Sequence, residues 1–168
     1  LSTAVADLVD NSLTAGATSI TVSVEAKGSE SYIAVVDDGC GMDQATLVEA
    51  MRMGTKGPLA ARSEGDLGRF GLGLKTASLS QGRRVTVITK VAGGEPLARR
   101  WDIAHIRDSG KWELLSDPTD VAAPFVQAVA AMRSGTAVVI EDLDRATYLR
   151  VAVGDVRLHF GRTLNAVQ

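Results

Sequence analysis

The sequence predicts an α+β domain: a two-layer α/β sandwich in which a mixed, mostly antiparallel sheet is covered by helices on one face. Three observations predict it. An amphipathic helix pattern opens the chain, period-two alternation sets in at once after it, and helical and strand patterns then interleave with hairpin-sized turns rather than βαβ spacing.

Val5, Leu8, Val9, Ser12 and Leu13 fall on one side of a helical wheel, with Gly16 as the stop signal. Because the chain starts in this pattern, it reads as an excised piece of a longer protein. Ile20, Val22, Val24 and Ala26 alternate with polar residues as a half-buried strand from Thr18, and a KGSE turn leads to a second strand, Tyr32 to Val36. Asp43 is a suitable cap for a helix over QATLVEAMRM. Residues 54–67, GTKGPLAARSEGDL, combine glycines, a proline and mixed charge without period and read as a mobile loop. GRFGLGLK then opens a helix ending near Leu79. RRVTVITKV and LARRWDIAHI read as strands around an AGGEP turn, KWELLS as another strand, PFVQAVAAMRSG as a short helix, TAVVIEDL as an apolar strand, and the stretch from Asp144 as helical.

Composition narrows the class. A chain of 168 residues suits one ordinary domain, and 45% hydrophobic with 23% charged residues is a globular balance, which excludes disordered and collagen-like chains. The net charge of -2 lacks the basic excess of a nucleic-acid module, leaving only a local basic patch open. One cysteine, Cys40, excludes an intramolecular disulfide and a multi-thiolate zinc site, which suits a reducing, intracellular compartment. No apolar run approaches the roughly 18 residues of a membrane span, so no membrane partner is expected.

Three clusters can carry chemistry. Asp7 and Asn11, four apart on the first helix, project within about 40° of each other and roughly opposite the apolar arc centred on Val9. Alone they read as a solvated face, and the functional reading needs a ligand nearby. In DDGCGM, Asp37 ends a strand and is followed by Gly39 and Gly41, which let backbone approach a bound group while a carboxylate stands at its floor, although a plain tight turn uses the same residues. GRFGLGLKT places glycines 68, 71 and 73 ahead of a helix, aiming unpaired N–H groups at an anion. It is neither a Walker loop, since Leu74 stands where the last glycine should precede Lys75 and Thr76, nor the GxGxxG dinucleotide fingerprint.

DLVDNSLTAGAT, VVDDGCGM, GRFGLGLKTAS and SGTAVVIEDL together resemble, in order and spacing, the four motifs of the gyrase, heat-shock chaperone, histidine kinase and MutL (GHKL) ATPases. The first is most similar to MutL-type proteins and the third to the MORC branch. The resemblance covers about residues 4 to 142 and implies the Bergerat ATP-binding fold, with a domain over 1–143 and a terminal helical segment, 144–168, leading toward a following domain. It implies ATP and Mg²⁺ as ligands. Asp7 stands where the general base is usually a glutamate; being one methylene shorter, it implies slower hydrolysis. Asn11 would hold Mg²⁺, Asp37 the adenine amine, and Gly41 and Met42 the base pocket, with Gly39 in the same turn. Gly68, Arg69, Phe70, Gly71, Leu72 and Gly73 would wrap the phosphates, Lys75 would add positive charge, and Thr136 would support Asp37. Residues 54–67 would be the ATP lid.

The activity implied is Mg-dependent ATP hydrolysis driving lid closure and dimer-clamp cycling, slow in the isolated domain. It points to an ATP-dependent homodimer in the full-length protein, to DNA contacts through missing domains, and to DNA repair, chromatin or defence in a cytoplasmic or, in a eukaryote, nuclear setting. Two alternatives stand beside it: a non-catalytic ATP sensor, and a histidine kinase catalytic domain. The kinase fits less well, because SLTAGA follows Asn11 where a kinase typically has a basic and an aromatic residue, and because His105, read on a strand, and His159, read on a terminal helix, form no phosphoacceptor hairpin.

Overall fold

The computed structural model describes residues 2–52 and 78–152. Helix α1, Ser2–Thr14, buries Ala4, Val5, Leu8, Val9 and Ser12 on one stripe. It ends in a Schellman arrangement: Ala17 N donates to Ser12 O, Gly16 N donates to Leu13 O, and Gly16 takes the left-handed φ of 75°. Leu13, expected in the buried arc, is 56% exposed. With Leu13 outside and Ala4 inside, the buried stripe swings toward Asn11, so Asn11 borders the core instead of opposing it.

Strands β1, Ile20–Glu25, and β2, Tyr32–Asp37, form the expected hairpin through a 3-10 turn at Gly28–Glu30. Helix α2, Gln44–Met51, is capped as expected, with Asp43 accepting from Thr46 N at 2.8 Å. Removing that acceptor should destabilise α2, so Asp43→Ala is expected to lower the urea midpoint without changing the m value.

Strand β3, Gly82–Lys90, pairs with β4, Leu97–Asp102. The strand expected through LARRWDIAHI stops at Asp102, whose carboxylate accepts from the backbone N–H groups of Ala104 and His105 and so starts helix α3, Ile103–Ser109. His105 therefore lies on a helix, against the sequence expectation, because a local cap outweighs strand alternation. KWELLS contributes a single bridge, Leu115 with Arg100, in place of a strand. Helix α4, Ala123–Ala131, strand β5, Gly135–Leu143, and helix α5, Arg145–Ala152, complete the described elements.

The strands run in the order β1-β2-β5-β3-β4, and every pairing among them is antiparallel. This is the expected α+β arrangement. Alternation divides the sheet: Ile33, Val35, Val85, Val87, Val138 and Ile140 face α1 and α2 with Leu47 and Met51 in one core, and Trp101 Nε1 ties that core by donating to Met51 O at 2.7 Å. Ala34, Ala137, Val139 and Ile88 face the opposite way, where short α4 packs Val129 against them. Cover on the second face is thus an addition to the one-face layering read from the sequence. Among the described residues no helix is long and apolar enough to cross a membrane.

Candidate functional site

At one end of the sheet the register places Asp37, Thr136 and Thr89 in a single row across β2, β5 and β3, on the face covered by α1. Asp37 is 6% exposed. Its Oδ2 accepts from Ser12 Oγ at 2.7 Å, and its Oδ1 accepts from Gly39 N at 2.9 Å. Burial pushes the Asp37 carboxyl above its ordinary range, against the opposing effect of Ser12 and the backbone of Gly39 and Thr136. A carboxylate has about four acceptor positions, so this one keeps capacity for an N–H donor from a ligand.

The DDGCGM turn is stitched to the end of α1. Cys40 N donates to Ala15 O at 3.0 Å, and Asp38 accepts from Thr18 N, Ser19 N and Thr18 Oγ1 at 2.7–2.8 Å. Those donors hold the Asp38 carboxyl below its ordinary range. A depressed carboxyl stabilises the fold above its unfolded value and loses that contribution as pH falls through its folded value. Asp38→Asn should therefore show a flatter acid limb than wild type when stability is followed by urea unfolding from pH 5 downward.

Gly41 has a left-handed φ of 68°, and a Cβ there would overlap the Lys90 carbonyl. A Cβ on Gly39 would meet Ala15 Cβ at 2.8 Å. Both glycines are required by close approach of the protein's own atoms, whereas the sequence reading assigned them to approach of a bound group. Met42, partly buried against the core, donates its N–H to Thr89 Oγ1 at 2.8 Å. Thr136 Oγ1 lies 3.0 Å from Thr89 Oγ1.

Asp7 and Asn11 are both partly buried on α1. Among the described residues Asn11 Nδ2 is buried without a hydrogen-bond partner, a donor open to an acceptor. No group of three or more His, Cys, Asp or Glu able to hold a metal occurs among the described residues. Mg²⁺ keeps waters and takes phosphate oxygens beside one or two protein oxygens. Asn11 Oδ1 is such an oxygen.

The structure thus brings together Asp37, Gly39, Gly41, Met42 and Thr136, with Asp7 and Asn11 on the helix whose Ser12 touches Asp37. Gly68, Arg69, Phe70, Gly71, Leu72, Gly73 and Lys75, the 54–67 loop and His159 lie outside the described residues. Two site residues escaped the sequence reading. Ser12 was visible only as a polar residue within an apolar arc, and Thr89 as a hydroxyl ending the apolar face of β3.

Residues 1–136 match the family of histidine kinase-, DNA gyrase B-, and HSP90-like ATPases, and the chain belongs to that family. It is similar to the ATPase morc-1 of Caenorhabditis elegans, 31% identical over 90 residues covering 54% of this chain and 10% of the relative. It is also similar to the DNA mismatch repair protein MutL of Sphingopyxis alaskensis, 32% identical over 143 residues covering 83% of this chain and 20% of the relative. The chain spans between a tenth and a fifth of the length of these curated relatives.

Proposed function

We propose that this chain binds Mg-ATP where β2 and β3 end and β5 begins, beneath α1, and hydrolyses it. The observation that carries the reading is the buried Asp37, oriented by Ser12 and Gly39. Its free acceptor takes the adenine amine, Gly39, Gly41 and Met42 shape the base pocket, and Thr136 supports the carboxylate. Asn11 contributes its amide oxygen to Mg²⁺, which when bound neutralises phosphate charge. Asp7 accepts the proton of the attacking water. The phosphate role of Gly68 to Gly73 and Lys75 rests on the GRFGLGLK motif.

The proposal extends to a cycle in which ATP closes residues 54–67 and joins two copies of the longer protein, with hydrolysis releasing them. Membership of an ATPase family and likeness to morc-1 and MutL support it, and a DNA-linked, intracellular role belongs to the same proposal. Titration calorimetry of the chain with ATP, with and without Mg²⁺, beside a phosphate-release assay, tests the core of it. Heat of binding that needs Mg²⁺ and slow turnover are expected; absence of ATP binding overturns the proposal. Binding without any turnover, in this chain and in a longer polypeptide, would select the sensor reading instead.

A further inference from the structure

Thr89, the penultimate residue of β3, lies outside all four motifs and is completely buried. Its Oγ1 accepts from Met42 N at 2.8 Å and stands 3.1 Å from Gly135 O and 3.0 Å from Thr136 Oγ1. A hydroxyl has one proton and two lone pairs. Met42 occupies one lone pair, so two arrangements remain. In the first, Thr89 donates to Gly135 O and accepts from Thr136, which then offers a ligand only lone pairs. In the second, Thr89 donates to Thr136, whose own proton is free to be donated beside Asp37.

We infer that Thr89 is a specificity-determining positioning residue of this site, fixing Met42 and setting whether Thr136 offers a donor or an acceptor to the base. The inference rests on reading the site as an adenine pocket. Adenine presents an amine donor next to a ring-nitrogen acceptor, and guanine presents a carbonyl next to an N–H. An Asp37 acceptor beside a Thr136 donor matches the first pattern and opposes the second at both atoms. The second arrangement supplies that donor, with the Thr89 proton turned from Gly135 O to Thr136 Oγ1. Met42 matters equally, because its N–H has Thr89 as its partner and a buried donor left unpaired is costly.

The test is calorimetry with ATP and with GTP on wild type, Thr89→Val, Thr89→Ser and Asp37→Asn, with thermal melts and turnover at saturating ATP. Valine keeps the shape and removes the hydroxyl. Thr89→Val is expected to raise the Kd for ATP about tenfold and to narrow the ATP-over-GTP preference, while turnover at saturation changes less than about threefold. Thr89→Ser should return affinity to within about threefold of wild type, since it restores the donor and acceptor. A residue that serves the fold alone would lower the melting temperature and leave both affinity and base preference in place well below it. A folded Thr89→Val with wild-type affinity and preference therefore overturns the inference. Should valine prevent folding, Thr89→Cys retains only a weak donor and acceptor, and wild-type ATP affinity in that variant overturns it equally. Failure of the underlying reading looks different: wild type itself would show no preference for ATP over GTP, and Asp37→Asn would change nothing.

Discussion

Asp37→Asn should weaken ATP binding between about tenfold and a hundredfold, because a charge-assisted hydrogen bond to the adenine amine, worth roughly 1.5–3 kcal/mol, is lost. The amide is nearly isosteric, so packing is conserved and the loss is chemical. Ser12 Oγ and Gly39 N both donate to the carboxylate. Asparagine has one oxygen to meet those two donors, and its NH₂ must face either one of them or the amine of the base. Discrimination falls with affinity: wild type should bind GTP far less well than ATP, and the variant should narrow that gap. Calorimetry with both nucleotides checks this, and equal affinity of wild type for ATP and GTP would remove Asp37 from the adenine site. Burial raises the Asp37 carboxyl, so its protonated form gains in the folded state. That contribution is present below the unfolded value and lost as pH rises through the folded one, the reverse of Asp38. Where Asp37 is ionised the free protein carries a buried carboxylate, and a donating base offsets part of its desolvation. ATP affinity should accordingly decline on acidification through the folded Asp37 value.

The local signals in the sequence were strong where a residue's role is set by its neighbours in the chain. Asp43 ahead of QATLVEAM and Gly16 after α1 acted as cap and stop, alternation found β1, and apolar runs between turn signals found β2, β3 and β5. The failures share a cause. Asp102 ended β4 by capping α3, an outcome decided by two backbone N–H groups where the sequence reading ran one strand through to Ile106. Leu13 looked buried because five wheel positions define an arc only loosely, and the actual stripe turned toward Ala4. The site shows the same division. Asp37, Gly39 and Gly41 were legible as a motif, whereas Ser12 and Thr89 act across sequence separations of 25 and 47 residues. Partnership at such distance is fixed by the sheet register and by helix docking, which no local pattern contains. Placement of α4 on the second face has a similar origin: Ala34 and Ala137 are small enough to admit a helix there, but their sequence neighbourhood says only that they are in strands.

Asp7→Asn should leave ATP binding within about threefold of wild type and lower hydrolysis by about 10²–10⁴, the usual contribution of a positioned base. The reason for the split is that a base acts on water in the transition state and contributes little to the ground-state complex. Asn11→Ala on the same helix should behave in the opposite way, losing Mg²⁺-dependent affinity, because its amide oxygen is the proposed Mg²⁺ ligand. Helical spacing makes the comparison informative: the two residues lie one turn apart, about 6 Å along α1, so a general disturbance of the helix would affect both measurements alike. Asp7→Glu adds the missing methylene. If reach limits the reaction, turnover should rise in that variant with ATP affinity unchanged, and if the chain is an ATP sensor with a disabled base, glutamate is the substitution that should create turnover where wild type has none. Single-turnover phosphate release on all four proteins at saturating Mg-ATP separates these cases. Hydrolysis by Asp7→Asn at the wild-type rate would make Asp7 a surface residue of α1 and require the water to be activated elsewhere.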